Sequence, residues 1–300
     1  MSGWTERQHA VFRSVLGVYL CAHFVFLLPW TTEVFSNEGV LPDGAASPLF
    51  HAFPNVLSLA DSPLAARVLV GGAALLSALL AVGWHDRIVA VGIWYASACL
   101  YGRNPLTSSP HLPYIGWILL GHAATPGKGL PSLHRVAWVV LAVAYGYSGY
   151  TKLASPSWLD GSAVARILEC PLARPGLARD VMRGAPASAL AAATWGALAL
   201  EIGFAPLALW RRARPWLWSA MLLMHVSLLV LLAFPDLSAG MILVHFFTFD
   251  PAWIHQEAPR ASALKGVPDR ESHAGSPGSE PPKPPGLHPG AAAFMTFSAT

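Results

Sequence analysis

The chain has 300 residues, of which 54% are hydrophobic and only 12% charged, whereas a soluble domain carries about 25% charged residues. This excludes an ordinary soluble globular protein, and a formal net charge of +3 scattered along the chain excludes a nucleic-acid-binding surface. Successive apolar runs, each near the roughly 20 residues that a helix needs to cross a bilayer, point to an all-α integral membrane protein.

In chain order, the first run covers 11–30 and follows Arg7 and Arg13. It lacks a small-x-small cleavage site before Pro29-Trp30-Thr31, so it reads as a membrane helix and not as a signal peptide. Further runs cover 64–83, 88–101, 113–124, 136–152, 187–210, 216–234 and 238–249, which makes a bundle of eight transmembrane helices. The runs 113–124 and 238–249 are short for a crossing, and are either tilted, extended by flanking aromatics, or re-entrant. Pro110, Pro113, Pro235 and Pro251 set their ends, since proline cannot continue a helix without losing a hydrogen bond.

Orientation follows from the basic residues of the short loops, which stay cytoplasmic. Arg7 and Arg13, Arg87, Lys128 with Arg135, and Arg211, Arg212 and Arg214 all fall on one side. The loop 31–63, with Glu33, Glu38, Asp43 and Asp61 and no Lys or Arg, falls on the other. Both termini are therefore expected in the cytoplasm, in a multi-pass protein of the cell's inner or plasma membrane. Parity places the loop 154–186 outside although Arg166, Arg174, Arg179 and Arg183 outnumber its acids. This loop is expected to carry surface helices, with Ser157 as a cap and Asp160 in the first turn.

Residues 1–254 thus form the polytopic transmembrane domain. From 255 to 300 the composition turns to Pro, Gly, Ser and charge, and such a segment cannot bury enough apolar surface to offset its ordering entropy. It reads as a disordered cytoplasmic tail. Cys21, Cys99 and Cys170 show no metal-type spacing, and a bridge between Cys99 and Cys170 is the one pairing that the topology permits.

Ionisable groups inside apolar helices cost a few kcal/mol each and need a reason to be there. His23, Glu201, His225 and His245 all fall near the middle of their runs. They converge on a polar cavity, or else they form structural hydrogen bonds between helices. His122, at the inner end of its run, reads as interfacial. Lys152 closes its run at the outer end, and Tyr145 and Ser148 share its face at helical spacing. Desolvation can make such an amine a neutral base, whereas an interfacial lysine that only snorkels stays a cation. Gly146 and Gly149 beside it permit close helix packing. Arg103 reads as an interfacial cation or a site for an anionic headgroup.

The segment Ser148-Gly149-Tyr150-Thr151-Lys152-Leu153, followed by Trp158 and Gly161, resembles the lysine segment of the horizontally transferred transmembrane domain family. That family includes the membrane part of vitamin K-dependent gamma-carboxylases. Glu201 with Phe204-Ala205-Pro206, His225 and the stretch from His245 to Trp253 extend the likeness over roughly residues 7–253. The resemblance implies carboxylase-like, quinol-linked epoxidation and carboxylation. Lys152 would be the base that takes the proton of a reduced quinone such as vitamin K hydroquinone, with oxygen and carbon dioxide as co-reactants. Glu201 and His225 would join it in catalysis, while Tyr145, Ser148 and His245 line the quinone site. The sequence departs from the family in two ways: one extra residue precedes Trp158, and the chain ends in a tail where the carboxylases continue into an extramembrane domain. A non-enzymatic bundle that binds lipid or a partner is the alternative. A transporter would need inverted repeats, and two short runs without symmetry do not supply them.

Overall fold

Thr5 opens the first helix with a capping box: its hydroxyl accepts from the Gln8 amide while the Gln8 side chain accepts from the Thr5 amide, so two of the donors orphaned at a helix start are satisfied. In this computed structural model, which describes residues 4–125 and 131–253, that helix is α1 (Glu6–Leu27). A 3-10 turn at Leu28–Trp30 carries it into α2 (Thr31–Phe35). α3 (Pro63–Val82) starts at a Ser62 cap with Pro63 in its first turn and stops at Gly83, whose φ of +83° only glycine adopts without strain. α4 (Asp86–Arg103), α5 (Leu112–Ala124) and α6 (Pro131–Lys152) follow. Three short helices, α7 (Pro156–Leu159), α8 (Ala163–Glu169) and α9 (Leu177–Arg183), occupy the loop where surface helices are expected. α10 (Ala187–Leu209), α11 (Arg214–Leu231) and α12 (Pro235–Thr248) complete the chain. The described residues are helical without strands, apart from an isolated antiparallel bridge between Ala173 and Leu232.

Each of the eight apolar runs lies on one of α1, α3, α4, α5, α6, α10, α11 and α12. Among the described residues, four stretches are long and apolar enough to cross a membrane: Glu6–Phe35, Pro63–Val82, Ala187–Leu209 and Arg214–Leu231. Val18, Phe26, Val68, Val143 and Leu223 stand exposed on helix faces, an arrangement suited to lipid rather than water. The expected tail 255–300 and Lys128 lie outside the described residues.

Neighbouring helices form two runs. α1 packs on α3, α3 on α4 and α4 on α5; α6 packs on α10, and α10 on α11. α12 touches α1, α5, α6 and α11, so it joins the two runs. At the start of the first run, Gly17 has no room for a Cβ against the backbone of Ala81. Close by, Arg13 donates to the carbonyls of Leu80 and Ala81 and Ser14 donates to Ala81 at 2.7 Å, which satisfies acceptors left over at the end of α3.

Several sequence expectations need correction. Arg103 is neither interfacial nor free. It is wholly buried, donating to Asp61 at 2.9 Å and to the Leu41 carbonyl at 2.6 Å, because the loop 31–63 folds over it. His122 is buried and stacked on His9 with ring centroids 4.8 Å apart. Ser155, not Ser157, holds the cap position before α7, and Asp160 follows the helix, accepting from the Ser162 amide at 2.8 Å. Cys21, Cys99 and Cys170 are all free. The four arginines of the loop 154–186 each find a partner nearby: Arg166 on Ser162, Arg174 on the Leu232 carbonyl, Arg179 on the Leu168 carbonyl and Arg183 on Glu169.

Candidate functional site

The site begins with a helix spacing. Tyr145, Ser148 and Lys152 lie three and four residues apart on α6, and therefore on one face, which packs against α10. Gly149 makes that packing close: a Cβ there would stand 2.8 Å from Cγ1 of Ile202. Gly146 meets nothing within 4 Å, so only Gly149 is a packing device. One turn beyond Ile202, Pro206 removes an amide that would otherwise bond back along α10.

With the helices this near, the Lys152 ammonium meets both oxygens of Glu201. Ser148 Oγ adds a third acceptor at 3.2 Å, and the Trp158 ring lies 4.8 Å from Nζ, a cation–π distance. The Glu201 side chain is 7% exposed and the Lys152 side chain 24%, so the pair is open on the lysine side. Trp158 is positioned by the corner after α6. Trp195 donates to the Leu159 carbonyl at 3.2 Å, and Gly161, with φ of +80°, lies where a Cβ would stand 2.9 Å from Cβ of Ala191. The Trp158 and Gly161 of the sequence motif thus have separate local reasons.

Two turns earlier on α6, Tyr145 Oη sits 2.7 Å from Nε2 of His225 on α11 and 2.8 Å from Nε2 of His245 on α12. A phenol has one proton, so Tyr145 donates to one imidazole and accepts from the other. All three residues are buried, the Phe204 ring lies 4.8 Å from the tyrosine ring, and Nδ1 of His225 is buried without a partner among the described residues. All six sequence-derived residues, Tyr145, Ser148, Lys152, Glu201, His225 and His245, are therefore brought into one region by four helices.

His23 does not join them. It belongs to a second polar cluster with Tyr19, His111 and Asp236, at one side of a cavity of about 500 Å³ that Lys152 does not line. Sequence reading singled out neither His111 nor Asp236 as a candidate; no local pattern joins α1, α5 and α12. Among the described residues, no group of three or more His, Cys, Asp or Glu has the arrangement to hold a metal ion.

The described residues define an all-helical protein with four candidate membrane-spanning helices and a buried polar region where α6, α10, α11 and α12 meet. No family model, no curated protein and no solved structure matches the chain.

Proposed function

We propose that the chain is an eight-crossing membrane protein with cytoplasmic termini that takes a proton from the hydroxyl of a reduced quinone, with Lys152 as the base. The observation that carries this reading is the Lys152–Glu201 pair. A proton passed from the ammonium to the carboxylate leaves a neutral amine and a carboxylic acid. The amine then accepts the quinol proton, leaving a quinolate, an ammonium and a protonated Glu201. Low surrounding dielectric favours such an exchange, because it penalises the separated charges. Ser148 orients Nζ, while Tyr145, His225 and His245 provide a buried set of hydrogen-bond partners able to hold a quinone oxygen or relay a proton. Reaction of the quinolate with oxygen and the addition of carbon dioxide rest on the family resemblance alone.

The test is quinol oxidation and epoxide formation by the purified protein in lipid nanodiscs, wild type against Lys152→Ala at equal folding. A general base is worth about 10²–10⁴ in rate, so the variant loses at least about 100-fold. A wild type that turns over none of several quinols overturns the reading.

A second reading has its own observation: Lys152 is tied by Glu201, Ser148 and Trp158 and lies away from the cavity. As an interhelix clamp in a lipid- or partner-binding bundle, the pair contributes stability and no turnover.

A further inference from the structure

With Asp236 ionised and both imidazoles neutral, the second polar cluster has one consistent pattern of protons. Tyr19 donates its only hydroxyl proton to Oδ1 of Asp236 at 2.8 Å. Its oxygen is then an acceptor, so Nε2 of His111, at 2.9 Å from Tyr19 and 3.3 Å from Oδ2 of Asp236, must carry a proton. With that proton placed, Nδ1 of His111 accepts from Ser109 Oγ at 2.9 Å, and His111 is satisfied on both sides. His23 gives its Nδ1 proton to Oδ1 of Asp236 at 3.0 Å. Oδ1 of Asp236 thus takes two donors and Oδ2 faces His111, and within this cluster, among the described residues, the acceptor left without a partner is Nε2 of His23.

His23 lines the cavity of about 500 Å³, within the range of small-molecule sites. The other walls are mostly apolar and include Phe24, Phe35, Tyr101 and Ile115. Among the described residues no Lys or Arg lines it to balance an anion, and Asp236 already faces Tyr19, His23 and His111. α12 is held at this edge because Gly240 lets its backbone lie on the His111 ring with no room for a Cβ.

We propose that this cavity binds a neutral, largely apolar molecule with one hydroxyl head, which donates its hydrogen bond to Nε2 of His23 while Asp236 holds the imidazole in the accepting tautomer. The site is separate from the Lys152 region and stands whatever the chemistry there. Phenols and aliphatic ring alcohols share the required head, and the aromatic lining favours the phenol.

The experiment measures saturable binding of 4-pentylphenol, 4-pentylcyclohexanol and 4-pentylanisole to the full chain in nanodiscs, by titration calorimetry with empty nanodiscs as the baseline. The phenol is expected to bind about tenfold more tightly than the anisole, equivalent to one hydrogen bond of about 1.4 kcal/mol. The cyclohexanol is expected to fall between them; if it binds more tightly than the phenol, the natural ligand is an aliphatic alcohol of the same class. His23→Phe keeps the ring and removes the acceptor, and is expected to bring phenol and anisole to equal affinity. Ala239→Phe fills the cavity and is expected to abolish saturable binding of all three. Equal binding of phenol and anisole to the wild type overturns the proposal without any variant having to fold. Retention of the phenol preference in His23→Phe overturns it as well.

Discussion

Gly149 on α6 lies against the backbone of Ile202 on α10, so closely that a Cβ there would stand 2.9 Å from the Ile202 nitrogen and 3.2 Å from Cβ of Glu201. The lysine three residues on meets the carboxylate because this glycine has no side chain. Gly149→Ala is expected to push the helices apart and to cost about 1–3 kcal/mol, the usual penalty for overpacking. Gly146→Ala, which meets open space, is expected to stay within about 0.5 kcal/mol. Thermal unfolding of both variants in the same nanodiscs compares them, and equal shifts would remove close packing as the reason for Gly149.

The Lys152–Glu201 pair is asymmetric, with the carboxylate more deeply buried than the ammonium. Lys152→Met therefore strands an unpaired charge in the interior, whereas Glu201→Leu leaves an ammonium that can turn towards the open side of the pair. The lysine variant is expected to be the less stable by about 1–3 kcal/mol. The double variant is expected to recover most of the loss. A double-mutant cycle by chemical unfolding checks the order, and the reverse order would show that Glu201 is solvated when alone.

Tyr145→Phe removes the hydroxyl between His225 and His245 and leaves both Nε2 atoms without it. The expected loss is about 1–3 kcal/mol, that of unsatisfied buried polar groups. If the two histidines matter only as apolar rings, His225→Phe in the Tyr145→Phe background restores stability, as seen in the midpoint of thermal unfolding.

Arg103 anchors the loop 31–63 through Asp61 and the Leu41 carbonyl. Arg103→Lys keeps the charge and loses the fork that reaches both partners, so it is expected to rescue little of the effect of Arg103→Met. Protease sensitivity of residues 37–62 reports this directly: both variants become susceptible, and a resistant lysine variant would assign the role to charge alone.

The Ser162 hydroxyl, followed by its amide, holds the Asp160 carboxyl below the ordinary carboxylate range. A depressed value means that the corner gains from the ionised form above the unfolded value, and that this gain is lost as pH falls through the folded one. The Ser162 amide resonance is expected to shift on acidification with a midpoint below that of a free aspartate. A midpoint at or above it would mean that the amide contact is not made in solution.

Much of the fold was legible because helical runs advertise themselves by apolar length. The run 238–249 begins three residues late against α12 (Pro235–Thr248), since proline is tolerated in a first turn and marks a start more readily than a stop. The shared face of Tyr145, Ser148 and Lys152 was legible from spacing alone. What spacing does not contain is which helices are neighbours. His23 falls near the middle of its apolar run as His225 does, yet α1 packs on α3 and α12 while α11 packs on α10 and α12, and the two histidines end in different clusters. Arg103 was misjudged for a similar reason: a helix end looks solvated until an irregular loop covers it, and irregular loops carry no periodicity.

The separation of 49 positions between Lys152 and Glu201 has a consequence for biogenesis. At ribosomal rates of about 5–20 residues per second, the lysine waits roughly 2–10 s for its partner to be synthesised. In the proposed eight-crossing topology, an ammonium at the end of α6 can spend that interval at the headgroup level. The carboxylate sits in the interior of α10, and had it come first it would have entered the lipid alone. Chain order thus delivers the tolerant charge before the intolerant one, so α10 can insert with its counter-ion already waiting.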